Sequence, residues 1–171
     1  ACYGFVTMSK AVMKDLEKFT NTTHKKYLLH PLYTSFGEKL NKLDARIALG
    51  LPEDKQLVLF FGLIRNYKGL DMLLDAMNEL KSHPNIVLVI AGEFYEDKQP
   101  YLDLIKNYGI ENQVIIHGKF IANEDVKLYF SATDLVTLPY RSATQSGVTQ
   151  VSFHFEVPTL VTNVGGLGEI I

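Results

Sequence analysis

The stretch LVLFFGLIRNYKGLDML (residues 57–73) begins with five apolar residues and continues through a glycine, an arginine and a lysine into a segment with helical spacing. An uninterrupted apolar run is typical of a strand that is covered on both faces. Apolar residues that recur every three or four positions are typical of a helix. A strand, a loop and a helix in this order form the first part of a βαβ unit, so the stretch predicts a parallel sheet.

The same alternation continues to the end of the chain. It predicts further strands at residues 86–91, 114–117, 135–138 and 159–162, beside the first at 57–61, and helices at 69–81, 99–108, 124–132 and 147–155. Asn123 is the predicted N-cap of the third helix, and Gly109 the predicted end of the second. The predicted fold class is therefore α/β, a Rossmann-like parallel sheet with helices on both faces.

The first fifty residues fit this alternation less well. Ser9 is the predicted N-cap of a helix, residues 27–36 read as an extended segment with a turn at Pro31, and residues 44–49 read as a short helix that Gly50 ends. The apolar face of the first helix would carry Val12, Met13, Leu16 and Phe19. We interpret residues 1–50 as a connector from a missing N-terminal domain, and residues 51–171 as one domain cut short at its C-terminus.

Composition narrows the classes of protein. A length of 171 residues with 47% hydrophobic residues suits one domain. The formal net charge of -2, with scattered cations, gives no basic stripe, so nucleic acid is not an expected partner. No apolar run approaches the roughly 18 to 20 residues that cross a bilayer. With one cysteine and no secretory signal pattern, we expect a cytoplasmic protein without a membrane span, and peripheral association at the inner face of a membrane stays open.

Two loops carry residues suited to a phosphate. Arg65 and Lys68 follow the first predicted strand of the sheet, and ligands in open α/β sheets lie beyond the carboxyl ends of strands. Residues 139–147 follow the fourth predicted strand, and the helix that starts there offers free N–H groups and a favourable dipole to an anion. The alternatives are two solvated cations and an ordinary helix capped by Thr144 or Ser146.

The remaining motifs argue against several classes of binding site and assign none. The glycines of residues 163–169 suit a close backbone approach or a tight turn, and they have neither the dinucleotide-binding spacing nor that of a Walker loop. The five histidines and one cysteine show no metal-ligand spacing, so we expect no metal and no cofactor. His117 reads as a structural histidine and Glu93 as a surface carboxylate, although both follow predicted strands.

In this order and spacing, the segments FFGLIRNYKGLDMLLDAM (60–77), VLVIAGEF (87–94), VIIHGKF (114–120), YFSATDL (129–135) and PTLVTNVGGLGE (158–169) resemble the C-terminal domain of family four of the retaining, two-Rossmann-domain (GT-B) glycosyltransferases. The resemblance implies that Lys68 contacts the diphosphate of a nucleoside diphosphate sugar. It also implies that backbone groups of Gln145, Ser146 and Gly147 cradle that diphosphate. Gly118, Lys119 and Phe120 would border the nucleobase.

The chain departs from the family pattern at two places. Leu63 stands where the family has its phosphate-binding arginine after Gly62, so Arg65 would have to reach from two residues later. Ala143 and Val151 stand where the family often has two glutamates near the sugar and the ribose. Contacts to the sugar and the ribose would then come from Thr144, Gln145 and Gln150.

The function that the resemblance implies is transfer of a hexose, with retained configuration, from a nucleoside diphosphate sugar to an acceptor held by the missing domain. Arg65 and Lys68 would be the catalytic side chains, since cations stabilise a departing diphosphate without a metal. The isolated chain is expected to bind donor and turn over little. A degenerate, non-catalytic binding or scaffolding module and a sugar-nucleotide epimerase of the same architecture are the alternatives.

Two structural expectations follow from this interpretation. The loops at Gly62–Lys68, Gly118–Phe120 and Thr144–Gly147 are predicted to border one continuous pocket. Apolar side chains are predicted to be exposed on the first helix or at Ile170 and Ile171.

Overall fold

The computed structural model describes residues 2–171. Its strands are β1 (Phe5–Thr7), β2 (Lys25–Tyr27), β3 (Gln56–Phe61), β4 (Ile86–Ala91), β5 (Val114–His117), β6 (Leu135–Leu138) and β7 (Thr159–Val161). Its α-helices are α1 (Lys10–Leu16), α2 (Lys42–Leu49), α3 (Leu70–Glu79), α4 (Gln99–Tyr108), α5 (Asn123–Ala132) and α6 (Gly147–His154). Short 3-10 helices span Asn66–Lys68, Glu111–Gln113 and Leu167–Glu169.

Strands β3 to β7 form the predicted sheet. Their order is β5-β4-β3-β6-β7, and every neighbouring pair is parallel. The longest pairing joins β3 to β4, from Gln56 opposite Ile86 to Phe61 opposite Ala91. All five predicted strands are present within two residues of their predicted bounds, which confirms the α/β fold class.

The two faces of this sheet bury separate apolar clusters. Leu57 and Leu59 point into one cluster, with side chains of α5 and α6 such as Phe130 and Val151. Phe60, one strand position after Leu59, packs in the other cluster with side chains of α3 and α4. Because successive strand residues face opposite sides, an apolar run without polar interruptions is what a sheet covered on both faces requires.

Strands β1 and β2 form a second, two-stranded parallel sheet that the sequence analysis did not predict. Each has only three residues, and the sequence Lys25-Lys26-Tyr27 has no apolar alternation to reveal it. Ser9 caps α1 as predicted, its Oγ accepting the N–H of Val12 at 3.1 Å. The helix ends at Leu16, so Phe19 lies beyond it.

Exposed apolar side chains occur where they were expected. Phe19 is 85% exposed and Ile171 is 62% exposed. Val12 and Leu16 are half-buried. The expected apolar surface is therefore present at Phe19 and Ile171, whereas the α1 face itself is partly covered.

Glycines end two helices as predicted, but one predicted cap is wrong. Gly50 after α2 and Gly109 after α4 adopt the left-handed conformation that closes a helix. Asn123 is already the first helical residue of α5, and the N-cap position belongs to Ala122, whose side chain donates and accepts nothing. Glu124 and Asp125 in the first turn complement the helix dipole instead of a side-chain cap.

A buried ion pair ties α2 to the sheet. Arg46 is 5% exposed. It donates to Asp134 Oδ2 at 2.7 Å and to the carbonyl oxygens of Ala132, Glu53 and Lys55. The same Asp134 oxygen accepts the N–H of Leu57 at 2.7 Å. One carboxylate thus joins the start of β3, the turn before β6 and the helix α2.

The pKa of Asp134 lies below its ordinary value. Burial disfavours the charged form of this carboxylate. Hydrogen bonds from Lys42 and from the Leu57 N–H, together with the charges of Lys42 and Arg46, outweigh that effect. The carboxylate is therefore ionised throughout the neutral range.

We expect Asp134→Asn to lower the free energy of unfolding by about 3 to 5 kcal/mol, because it leaves the buried Arg46 guanidinium without its counter-charge. Urea unfolding followed by circular dichroism measures the difference. Since the folded pKa of Asp134 is lowered, its stabilisation is present above the unfolded pKa of about 4 and is lost as the pH falls through the folded value. The difference between the two proteins should therefore shrink in acid.

Asp54→Asn is the matched control, because Asp54 is exposed and makes no ion pair within residues 2–171. That variant should unfold within about 0.5 kcal/mol of the parent. Equal stability of Asp134→Asn and Asp54→Asn at neutral pH would contradict the structural role of the Arg46 to Asp134 pair.

Candidate functional site

The strand order of the five-stranded sheet reverses between β3 and β6. From β3 the chain moves outward through β4 to β5, then returns to the other side of β3 for β6 and β7. Ligands of open α/β sheets bind in the crevice beyond the carboxyl ends of strands at such a reversal. The loop of residues 62–69 follows β3 and the loop of residues 139–146 follows β6, so both border this crevice.

These two loops touch through their backbones. Gly69 has a φ of 70°, and a Cβ there would collide with the carbonyl oxygen of Pro139. On the other side, a Cβ at Gly92 would collide with the carbonyl oxygen of Gly62. Only glycine permits such approaches, so Gly69 and Gly92 set how closely the loops at this edge pack.

Lys68 lies on the loop after β3, which borders the crevice. The lysine is only 8% exposed, and its Nζ lies 5.7 Å from the centre of the Tyr140 ring. A Cβ at Gly62 would be 3.2 Å from that nitrogen, so the ammonium faces the glycine that ends β3. Within residues 2–171, no carboxylate lies within ion-pair distance of Lys68 Nζ. A largely buried cation therefore points at the crevice without a counter-charge.

Burial, followed by the nearby charge of Arg65, lowers the pKa of Lys68 to about 8. An anion placed beside Nζ would reverse both effects, because an opposite charge favours the ammonium form. Strongly perturbed pKa values cluster at functional sites. The site is electrostatically suited to a bound anion.

Arg65 is placed differently from Lys68. It is exposed, and its guanidinium stacks 4.2 Å from the centre of the Tyr95 ring in the loop after β4. Its charge reaches Lys68, but its side chain lies against Tyr95 rather than beside the ammonium. The two cations that the sequence analysis paired are therefore on one loop in two different environments.

The start of α6 forms the opposite side of the crevice. Ser146 is buried and caps the helix, its Oγ accepting the N–H of Val148 at 3.3 Å. Thr144 and Gln145 are exposed in the loop before it, and Gly147 packs on the ring of Tyr33. Gln150 is buried in the next turn and lines a separate cavity with Leu29, Phe153 and the chain end. The structure thus brings Ser146 to the crevice and places Gln150 elsewhere.

The predicted loops share one edge of the sheet, but they do not line one pocket. A cavity of about 420 Å³ is bordered by Gly62, Glu93 and Phe120 among mainly apolar neighbours. Gly118 and Lys119 line a second cavity of about 470 Å³, together with His117 and Tyr129. Two of the three predicted loops thus meet in the first cavity, whereas Thr144 to Gly147 border neither cavity. The expectation that all three loops border one continuous pocket is not confirmed.

Buried side chains explain the division. Lys68 spans from Gly62 to the Tyr140 ring, and the Tyr140 hydroxyl lies 3.5 Å from Ser146 Oγ. These side chains lie between Gly62 and the start of α6. Burial raises the pKa of Tyr140 to about 12, so its hydroxyl stays neutral beside the lysine.

The two positions at which the resemblance places glutamates, Val151 and Ala143, both lie in apolar packing. Val151 is 6% exposed and belongs to the apolar core, so this position carries packing and not polar contacts. The carbonyl oxygen of Ala143 contacts Gly165, where a Cβ would collide with it, and the carbonyl oxygen of Thr144 stands in the same way over Gly166. The glycine pair thus serves the close approach of two loops.

His117 has the structural role that the sequence analysis favoured. Its Nδ1 lies 2.9 Å from the Tyr129 hydroxyl, and burial and then the charge of Lys119 lower the pKa of the imidazole. In the part of the chain that is described, three or more His, Cys, Asp or Glu side chains nowhere cluster as they would to hold a metal. No helix of residues 2–171 has the length and apolarity that crossing a bilayer requires.

Sequence reasoning missed two residues of the crevice. Tyr140 and Arg141 stand directly after β6 in the segment Pro139-Tyr140-Arg141, yet neither was singled out. Tyr140 contacts Tyr67 edge to face at 5.7 Å between ring centres. The only signal was their place at the carboxyl end of a strand, which does not show where a side chain points.

Comparison with known proteins identifies the family. The model of the family described as glycosyl transferases group 1 matches residues 41–171. The chain belongs to this family. It is a glycosyltransferase domain with an α/β fold of the GT-B type.

The relatives are much longer than this chain. An uncharacterized glycosyltransferase of Methanocaldococcus jannaschii is 29% identical over 97% of the chain and 44% of the relative. A D-inositol 3-phosphate glycosyltransferase of Catenulispora acidiphila is 32% identical over 72% of the chain and 32% of the relative. The chain therefore spans less than half of the length of the relatives that it matches.

Solved structures agree on the fold. WaaG, a glycosyltransferase involved in lipopolysaccharide biosynthesis, superimposes with a TM-score of 0.82 at 21% identity, over 97% of this chain and 46% of WaaG. HepE of Anabaena gives a TM-score of 0.80 at 20% identity, over 97% of this chain and 46% of HepE. These structures confirm the Rossmann-like architecture.

We expect the Lys68 ammonium to titrate near pH 8, about two units below an exposed lysine, because its burial is not offset by a carboxylate. Arg65→Ala should raise that pKa, since it removes a like charge. The measurement is the pH dependence of the lysine Cε chemical shifts, with Lys68→Met assigning the signal. A Lys68 signal that titrates near the ordinary lysine value of about 10.4 would contradict the buried, unpaired ammonium.

Proposed function

We propose that this domain binds the diphosphate of a nucleoside diphosphate sugar in the crevice between β3 and β6. We further propose that it supplies the donor half of a retaining hexosyl transfer. The observation that carries the proposal is the buried ammonium of Lys68, which has no counter-charge and lies beside the Tyr140 ring, whose hydroxyl is 3.5 Å from Ser146 Oγ at the start of α6. A diphosphate is the ligand that would complete this charge arrangement.

The proposed transfer requires stabilisation of the departing diphosphate. When the bond between the anomeric carbon and the diphosphate oxygen breaks, negative charge grows on the departing oxygen. A cation and oriented N–H groups that are already in place lower the energy of that charge in a site of low dielectric. Lys68 would supply the cation, and the first-turn amides of α6 around Ser146 to Val148 would supply the dipole. No metal is required for this step.

Related structures support a nucleoside diphosphate sugar as ligand. HepE has been solved in complex with UDP and glucose and in complex with UDP-glucose. A relative from Rhizobium meliloti, 25% identical over 84% of the chain and 42% of the relative, is a mannosyltransferase of lipopolysaccharide core biosynthesis. By analogy, a hexose is the group that this domain would help to transfer.

The small sheet supports an acceptor domain beyond the residues of this chain. Within residues 2–171, β1 and β2 pair only with each other. Parallel strands are almost always part of a larger sheet covered on both faces. Yet Tyr3 is 85% exposed and Val6 is 61% exposed. We therefore propose that β1 and β2 belong to the edge of a second domain, which would hold the acceptor, and that residues 51–171 form the donor domain.

One contact would hold the two units together. The Glu169 carboxylate accepts the N–H groups of Lys10 at 2.7 Å and Ala11 at 2.9 Å, so the end of the chain is bonded to the start of α1. In this proposal the isolated chain binds donor and turns over little, since the acceptor is held elsewhere. A cytoplasmic location remains a prediction.

The alternative function is a degenerate module that keeps the fold without donor binding. Val151 favours it, because a core side chain stands where the family often has a glutamate. Thr144 and Gln145 are exposed beside the crevice and are the proposed substitutes for sugar contacts. Binding of donor nucleotides separates the two functions.

We expect calorimetric titration of the chain with UDP, GDP and ADP to show binding of at least one of them, and Lys68→Met to weaken it by about 10- to 150-fold. That range corresponds to the loss of one charge-assisted contact, about 1.5 to 3 kcal/mol. Arg65→Ala should weaken binding less, because the Arg65 guanidinium lies against Tyr95. Below pH 8 the affinity should be flat, and it should fall as the pH rises through the pKa of Lys68.

Lys106→Met removes one exposed charge from α4 and should leave the affinity within twofold. Circular dichroism shows whether each variant is folded. If folded Lys68→Met binds all three nucleotides as the parent does, or if the parent binds none, the degenerate module is the better description.

A further inference from the structure

We propose that Arg141 is a positioning residue for the diphosphate site, acting through Lys68 rather than on the ligand. This inference rests on the proposed function. Arg141 follows β6 directly, and its side chain crosses the strand reversal to the loop after β3. It thereby connects the two elements that would hold opposite sides of the diphosphate.

Arg141 holds the Lys68 loop at three points. Its backbone N–H donates to the Tyr67 carbonyl oxygen at 2.7 Å, and its Nη1 donates to the Asn66 carbonyl oxygen at 3.0 Å. The guanidinium also grips both oxygens of Asp71 at the start of α3, with Nη1 to Oδ1 at 2.8 Å. Arg141 is thus hydrogen-bonded to the first two carbonyl groups of the 3-10 turn that carries Lys68. It is also paired with Asp71, two residues after Gly69.

The neighbouring Tyr140 extends the connection to α6. Its ring packs on Tyr67 and faces Lys68 Nζ, while its hydroxyl lies near Ser146 Oγ. Residues 140 and 141 therefore form a bridge from the lysine to the helix start. A shift of either residue would change the distance between the ammonium and the α6 amides, and ligand binding depends steeply on such geometry.

The Asp71 pair also has an electrostatic effect. The hydrogen bonds from Arg141 hold the pKa of Asp71 below its ordinary value, although burial acts in the opposite direction. Both oxygens of this carboxylate are engaged by one guanidinium, so the charge of the acid three residues from Lys68 is balanced within the protein.

The guanidinium itself is occupied by partners within the protein. It is bonded to Asp71 and to the Asn66 carbonyl oxygen, and Arg141 is exposed to solvent. In this proposal its effect on the ligand passes through the loop that it holds.

The test is a double-mutant cycle on the chain, using whichever of UDP, GDP and ADP binds tightest. Arg141→Ala should weaken binding by about 10-fold, as expected when a contact network that sets geometry is broken. Arg141→Lys keeps the charge but not the two-pronged grip, so it should retain an intermediate affinity. In the Lys68→Met background, Arg141→Ala should change the affinity by less than about twofold, because the residue through which it acts is absent.

Asp71→Asn provides a second variant should Arg141→Ala fail to fold. It removes the carboxylate of the ion pair and should weaken binding only in proteins that retain Lys68. Lys106→Met again serves as the control for a lost charge. An affinity of Arg141→Ala and Asp71→Asn within twofold of the parent would overturn the proposal. So would an equal loss with and without Lys68, which indicates a general structural role. If Lys68→Met itself has no effect, the proposed function fails and not only the role of Arg141.

Discussion

The position of β6 beside β3 is the constraint on which the rest of the structure depends, and one carboxylate secures it. Asp134 accepts the N–H of Leu57, and its own N–H donates to the Leu57 carbonyl oxygen at 2.9 Å. The strand that begins one residue later is therefore placed against β3 rather than beside β5. Because β6 returns to β3, the strand order reverses there and leaves a crevice between the two loops that follow.

The site in this crevice is held at some cost to the folded state. The pKa of Lys68 is lowered to about 8 because the charged form of the side chain is less stable in the folded protein than in water. Proteins retain such groups at sites where a ligand restores the balance. The glycines and aromatic rings around Lys68 leave it little freedom, so the cation is in place before any anion arrives and need not be ordered on binding.

Both backbone contacts and side-chain contacts position the loops around the crevice. Gly69 against Pro139 and Gly92 against Gly62 bring neighbouring loops together without side chains. Arg141 and Tyr140 then connect the β3 loop with the start of α6. The positions where the family often has acidic residues have been taken over by packing, with Val151 in the core and the Ala143 carbonyl against Gly165. Under the proposed function, sugar contacts would come from the exposed residues Thr144 and Gln145.

The five strands of the sheet could be predicted from the sequence. Apolar runs at 57–61, 86–91, 114–117, 135–138 and 159–162 predict strands covered on both faces, since both faces of each must be buried, and Gly50 and Gly109 mark helix ends because only glycine adopts the required φ cheaply. The positions of Lys68 after a strand and of Ser146 before a helix could also be predicted, because strand ends and helix starts follow from local patterns.

Only the tertiary structure decided how these residues are arranged. The burial of Lys68, the turn of Arg65 toward Tyr95, the separation of Gln150 from the crevice and the pairing of β1 with β2 all arise from contacts between residues distant in sequence. Local pattern shows which residue follows a strand, but the direction of its side chain is set by neighbours that the fold brings to it. Arg141 is the clearest case, since its partner Asp71 lies 70 positions earlier and meets it only because β6 returns to β3.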